Sequence, residues 1–350
     1  MRTAHASRLG RRCPRVWSLG GNVLGMRLLG TRLRWPALLG TLLVTLLTAA
    51  CSGAPSLSGL PTATTSGTAP ATGASAATPT GHQRFTPVRS DTGRILETTL
   101  AGARSGVTMK VWVWLPPQYD QPAFAHTAFP ALMLYPGGAG VGHNAWVGSS
   151  LGAREFVAGR AQTVTPFVFV MPAMQLSVDQ DTECADLPGQ PKVGTFLSVD
   201  VRRMVMDNFR VLPGRAGWGA AGTSSGAYCA ARLVFDHPDQ YAAVVSIGGY
   251  FTIETNLPGG SDPVVRAGDP AAVAAGQHPD VSVLLWSSAS PGPDLKAARR
   301  FLAEIRPPTR AELRTLPGGN HLTVDFAKMI PGTFTFLSSH LSAPVPVAGP

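Results

Sequence analysis

Apolar positions fall into three regimes along the chain. From Pro36 to Ala50 they run almost unbroken, PALLGTLLVTLLTAA, and the run ends at Cys51. From Ser52 to about Gln83 they lose all periodicity, in a stretch made almost wholly of Ser, Thr, Ala, Gly and Pro. From about Arg84 onward, short continuous apolar runs alternate with runs at helical spacing. Residues 95–100 and 108–115 read as an opening antiparallel pair, and 129–135 (FPALMLY), 167–171 (FVFVM), 218–221, 242–247, 281–286 and 311–316 as further strands. Helices are expected over 195–210, where Leu197, Val201, Met204 and Val205 share one face, over 225–237 up to Pro238, over 294–305, and after Phe326. Strands that are apolar on both faces, alternating with helices, predict an α/β fold: a mostly parallel central sheet covered by helices on both sides.

Composition sharpens the picture at the amino end. The formal charge is +9, but eight arginines, from Arg2 to Arg34, precede the apolar run. The basic excess therefore belongs to a leader. No later stripe of Lys and Arg with interleaved aromatics follows, which excludes a nucleic-acid partner. An apolar run of roughly 15 residues behind arginines has the layout of an export signal, and falls short of the about 20 that span a membrane. Leu47-Thr48-Ala49-Ala50-Cys51 resembles a bacterial lipoprotein cleavage site with Thr48 at a position usually held by Leu. Lipidation at Cys51 is the expectation, with a plain cleaved signal or an uncleaved anchor as alternatives. Met26-Arg27 makes a more ordinary start for such a signal than Met1. The segment after Cys51 has too little apolar area to offset ordering entropy and reads as a flexible tether. The expected organisation is a leader over 1–51, a linker over 52–83 and a catalytic domain over 84–350, placed outside the cytoplasm as an envelope lipoprotein or a secreted protein, with the membrane as partner.

The domain carries one motif with chemistry in it. Gly222-Thr223-Ser224-Ser225-Gly226 matches G-x-S-x-G, between an expected strand and an expected helix. A nucleophilic serine at such a turn sits exposed on a strained backbone, and the flanking glycines let neighbouring chain approach without a Cβ clash. The alternative is a Gly-Ser turn whose serine caps a helix. Under the nucleophile reading, the Ser225 N–H at the helix start donates to a developing oxyanion, and a second donor, Gly137 or Gly138, comes from the glycine loop that follows 129–135. His143, farther along that loop, is a candidate substrate contact.

A general base should follow the last strand, and His321 does, in Pro317-Gly318-Gly319-Asn320-His321. The acid should follow 281–286, where Asp294 is the first carboxylate. Asp294 also stands at a helix start, where Asp is a favoured cap. Glu254 and Asp262, after the preceding strand, are its reserves. Setting aside Cys13 and Cys51, Cys184 and Cys229 remain, and in an exported protein they suggest one disulfide, two buried thiols being the alternative. No Cys/His cluster suggests a metal, and no cofactor is expected.

The stretch from Trp218 to Phe251, with PALMLYPGG and PGGNH, resembles the actinobacterial branch of the esterase D and mycolyltransferase group of α/β hydrolases. The resemblance runs from about Thr92 to Leu341. It implies an α/β-hydrolase fold and a metal-free esterase or acyltransferase acting on small-molecule or lipid esters. In that group His or Asp often stands at the position of Pro136, and the acid falls near Ser290. The expected function is an exported serine carboxylic-ester hydrolase working through an acyl-enzyme. An acyltransferase with the same Ser/His site and an inactive envelope-binding protein on the same fold are the alternatives.

Overall fold

The structure is a computed structural model that describes residues 79–347. The leader, Cys51 and most of the 52–83 segment lie outside the described residues. Gly81 and Gln83, at the end of that segment, already bond to the domain: the Gly81 N–H donates to the Asp207 carbonyl at 2.6 Å and the Gln83 N–H to Asn208 Oδ1 at 3.1 Å.

Eleven strands are formed among the described residues: β1 (Thr86–Val88), β2 (Arg94–Ala101), β3 (Thr108–Leu115), β4 (Thr127–Ala128), β5 (Ala131–Tyr135), β6 (Val168–Pro172), β7 (Trp218–Thr223), β8 (Ala243–Ile247), β9 (Ser282–Ser288), β10 (Arg310–Leu316) and β11 (Val345–Pro346). Nine of them make one sheet in the order β1-β2-β3-β6-β5-β7-β8-β9-β10, and β4 pairs with β11 apart from it. The first three and the β3–β6 contact are antiparallel, and everything from β6 to β10 is parallel.

Strands β5, β6, β7 and β8 are buried at every position, as two-sided covering requires. The edge strand β10 is half-exposed and alternates Arg310, Glu312 and Arg314 with smaller side chains, which discourages pairing with another chain. Of the helices, α4 (Ser225–Asp236) packs on β5, β7 and β8, and α6 (Pro270–Gly276) and α7 (Pro293–Glu304) pack beside it. On the other side α8 (Thr323–His340) covers β8, β9 and β10 and meets α1 (Ala153–Gly159). The helical run 193–208 comprises α2 (Val193–Thr195), a π-turn over Phe196–Asp200 and α3 (Val201–Asn208), and α5 (Pro263–Ala267) precedes α6.

The expected strands and helices are present with ends shifted by one to a few residues. Helices α1, α5 and α6 go beyond what the pattern predicts. The latter two begin at Pro263 and Pro270, where proline suits a first helical position, so the stretch 251–280 carries two short helices within loop.

Chain order places the site. From β5 the chain goes to β6 on one side of it, then returns to β7 on the other. Loops leaving the carboxyl ends of β5 and β7 therefore diverge and leave a crevice between them, the usual location of a ligand site in an open parallel sheet.

Candidate active site

Ser224 lies at the carboxyl end of β7, with φ 55° and ψ −122°. A side chain in that region of backbone space costs of order 1–3 kcal/mol, so the surroundings must hold it. They do: the Ser224 N–H donates to the Ile247 carbonyl at 2.9 Å, and the Ser224 carbonyl accepts from the Ala227 N–H at 2.9 Å. Both flanking glycines are sterically required. A Cβ on Gly222 would stand 2.0 Å from the Gly226 carbonyl oxygen, and one on Gly226 would stand 2.3 Å from the carbonyl oxygens of Tyr135 and Pro136. Ser224 does not cap α4 with its side chain.

Its hydroxyl instead meets His321. Ser224 Oγ is 2.9 Å from His321 Nε2, and His321 Nδ1 is 2.6 Å from Asp294 Oδ2. An ionised carboxylate only accepts, so the proton shared with Asp294 sits on Nδ1 and leaves the Nε2 lone pair for the serine O–H. Asp294 occupies the first turn of α7, whose cap is Gly292, and its side chain reaches across to the imidazole rather than capping the helix. The reserves lie elsewhere: Asp262 caps α5 through the Val264 N–H at 2.8 Å, and Glu254 is exposed on its loop.

The loop after β5 closes the other side. Gly137 packs so closely that a Cβ there would lie 3.1 Å from the Thr223 carbonyl oxygen and 3.3 Å from Ser224 Cβ. Gly138 has φ +74°, and its carbonyl accepts from Ser225 Oγ at 3.0 Å, which ties this loop to the turn. The Ser225 N–H belongs to the first turn of α4, where amides have no intrahelical acceptor. A cavity of about 220 Å³ opens over Ser224 between this loop and His321, with Leu151 and Phe326 among its walls. His143 is not among the residues that line it; its Nδ1 lies 2.9 Å from the Val141 carbonyl oxygen and its ring is exposed.

Three residues that the sequence pattern does not single out hold the histidine in place. Asp325 Oδ2 accepts the Asn320 N–H at 2.9 Å, while Asp325 Oδ1 is paired with Lys328 at 2.7 Å. The Lys328 ammonium first, and then the Asn320 N–H, hold the Asp325 carboxyl below its ordinary value. Ser288 Oγ donates to the Gly319 carbonyl and accepts from the Ser290 N–H at 3.1 Å, joining the histidine loop to the loop that leads to Asp294. The Phe326 ring meets the His321 imidazole edge-on at 5.0 Å. Asp325 and Phe326 stand four and five residues beyond His321, a local signal open to sequence reading. Ser288 carries none.

Cys184 and Cys229 form a disulfide that ties the loop after β6 to α4. Among the described residues, no three His, Cys, Asp or Glu side chains converge as a metal-holding group.

Residues 102–307, more than half of the chain, match the family model described as "Putative esterase". An uncharacterized protein of Corynebacterium glutamicum is 27% identical over 169 residues, a match that spans 45% of this chain and 38% of that protein. Among solved structures, a ferulic acid esterase superposes over 71% of this chain and 97% of its own at 16% identity and a TM-score of 0.58. An S-formylglutathione hydrolase from Agrobacterium tumefaciens does so over 73% and 99% at 12% identity and 0.59. MPT51 of Mycobacterium tuberculosis does so over 70% and 97% at 17% identity and 0.53. At these identities the likeness is one of fold.

Proposed function

The chain belongs to the family described as "Putative esterase" and has the α/β-hydrolase fold, and from that premise we propose that it is an exported serine carboxylic-ester hydrolase in which Ser224 is transiently acylated. The observation that carries the reading is the unbroken line from Ser224 Oγ through His321 to Asp294 on a strained turn. Ser224 Oγ attacks the ester carbonyl while His321 Nε2 takes its proton, and Asp294 stabilises the imidazolium that forms. The Ser225 N–H and a glycine N–H of the 137–138 pair face the oxyanion of the tetrahedral intermediate. Collapse expels the alcohol, which takes the proton back from His321. Water, activated by the same imidazole, then frees the acid from Ser224. An alcohol in place of water makes the same intermediate an acyl donor, so the ratio of free acid to new ester separates hydrolase from acyltransferase.

For location, the arginine-flanked apolar run and Cys51 support lipid attachment outside the cytoplasm, with the 52–83 segment as tether. Palmitate incorporation that survives Cys51→Ala would refute lipidation at that residue. For the chemistry, the test is a fluorophosphonate probe. The intact protein is expected to be labelled at Ser224, Ser224→Ala not at all, and His321→Ala far more slowly. An intact protein that resists the probe would point to a binding protein on a hydrolase fold.

A further inference from the structure

A second cavity, of about 620 Å³, lies between residues 250–254 and the face of α7 that carries Pro293, Ala297 and Arg300. At about 30 Å³ per water it holds roughly twenty water volumes, a size typical of small-molecule sites. It begins beside the triad. Pro293 precedes Asp294, and Tyr250 follows Gly248-Gly249, where a Cβ on Gly248 would stand 3.3 Å from His321 Cε1. Its approach to the site is through Pro293, bonded to Asp294, and Asp294 is the partner of His321, the group that protonates a departing alcohol.

The wall of this cavity is held by a buried carboxylate outside the triad. Glu183 is only 8% exposed, and it accepts from the Tyr250 hydroxyl, from the Glu254 N–H at 2.6 Å and from the Thr255 N–H at 3.0 Å. Thr255 Oγ1 adds a bond to the Asp181 carbonyl at 2.6 Å. Tyr250 stacks on Tyr228 of α4 at 4.9 Å, and Cys184, the next residue after Glu183, is bonded to Cys229 on the same helix. Glu183 and Cys184 have φ of 48° and 58°, a backbone that side chains rarely adopt. Two strained residues, a disulfide and a buried carboxylate thus act together to fix 250–255 relative to α4.

We propose that the 620 Å³ cavity is the alcohol-side subsite for esters of bulky alcohols, and that Glu183 is the positioning residue that sets its wall. The proposal rests on the ester-hydrolase reading above. The alcohol it fits carries an apolar face against Phe251 and Ala297 and polar groups toward Glu254, Lys296 and Arg300 at the rim. Burial pushes the Glu183 carboxyl above its ordinary value, against the pull of the Tyr250 hydroxyl. An amide of the same shape keeps an oxygen for the Glu254 and Thr255 N–H groups and turns its own N–H toward the Tyr250 hydroxyl oxygen.

The test compares 4-methylumbelliferyl butyrate with methyl butyrate, which share an acyl group and differ in the size of the alcohol. Glu183→Ala should raise KM for the umbelliferyl ester about tenfold, at least five times more than for methyl butyrate, with kcat on each ester within about twofold. Glu183→Gln keeps an acceptor for the two N–H groups and should return KM to within about twofold of the parent. Ala297→Trp fills the cavity from α7 without touching Glu183 and should show the same selective rise. Equal KM changes on both esters, or loss of kcat alone, would overturn the positioning role. An unchanged KM in Ala297→Trp would overturn the subsite. Failure of the ester-hydrolase reading is separate: it shows as parent protein that turns over neither ester and resists the fluorophosphonate probe.

Discussion

Replacing Asp294 tests the hydrogen-bonded line at its most informative point. The Asp294 carboxylate accepts from His321 Nδ1 at 2.6 Å and keeps the proton on that nitrogen. In Asp294→Ala the imidazole loses one hydrogen bond to a charged partner, worth about 1.5–3 kcal/mol, which corresponds to roughly 10–150-fold in rate. Asp294→Asn is expected to be worse, although it is closer in shape. Its amide N–H can donate to Nδ1, which moves the ring proton to Nε2. That nitrogen then donates to Ser224 Oγ, 2.9 Å away, when it should accept from it. The wrong tautomer costs about 10⁴-fold in kcat, or about 5.5 kcal/mol. The assay is steady-state hydrolysis of p-nitrophenyl butyrate by the purified protein, with circular dichroism to confirm that both variants fold. The discriminating result is the order Asp294→Asn below Asp294→Ala. Asn as active as Ala would refute the tautomer argument, and near-parental kcat in both variants would remove Asp294 from the site.

Three further perturbations probe the frame around it. Gly226→Ala places a Cβ 2.3 Å from two backbone carbonyl oxygens of the β5 loop, so it should destabilise the domain by about 1–3 kcal/mol and abolish fluorophosphonate labelling; labelling at the parental rate would contradict the close approach. Removing the Cys184–Cys229 bond by double alanine substitution frees a loop of sequence separation 45, for which chain entropy gives about 4 kcal/mol and a Tm lower by roughly 8–16 °C in a scanning calorimeter; a fall under about 2 °C would refute it. Asp325, whose folded pKa is depressed by Lys328 and the Asn320 N–H, contributes stability that is present above its ordinary 3.8 and lost as pH falls through the folded value. Asp325→Asn should therefore lower Tm at pH 7 and converge with the parent at low pH; a Tm difference that does not change with pH would show that the ion pair is idle.

Some of this protein is legible in its residues. Continuous apolar runs in β5, β6, β7 and β8 mean two-sided burial, and that alone implies a parallel sheet between helices. Gly222 and Gly226 around Ser224 announce a turn that only glycine neighbours tolerate. His321 is readable from chain order, one loop beyond the last strand. These signals are local, or depend only on the order of elements. Asp294 is ambiguous in sequence because a helix start accepts Asp for capping as readily as a site uses it. What settles its geometry is the parallel pairing of β9 with β10, which places the loops after both strands side by side and lets Asp294 reach His321 across 27 residues of chain.

The remainder depends on contacts between distant segments. Glu183 and the 250–255 wall are about 70 residues apart in sequence, and nothing in the residues near either predicts the other. Helices α5 and α6 escape sequence reading because their apolar positions are too few to show a period; α6 stands by packing on α4 and α7, and α5 by packing on α6. The sequence by itself determined which residue types lie at strand ends and which turn carries the serine, since backbone sterics and burial act within a few residues. Only the tertiary structure decided which carboxylate meets the imidazole and what walls the space beside it. Those choices are set by how strands stack across the sheet, a property that no single stretch of the chain contains.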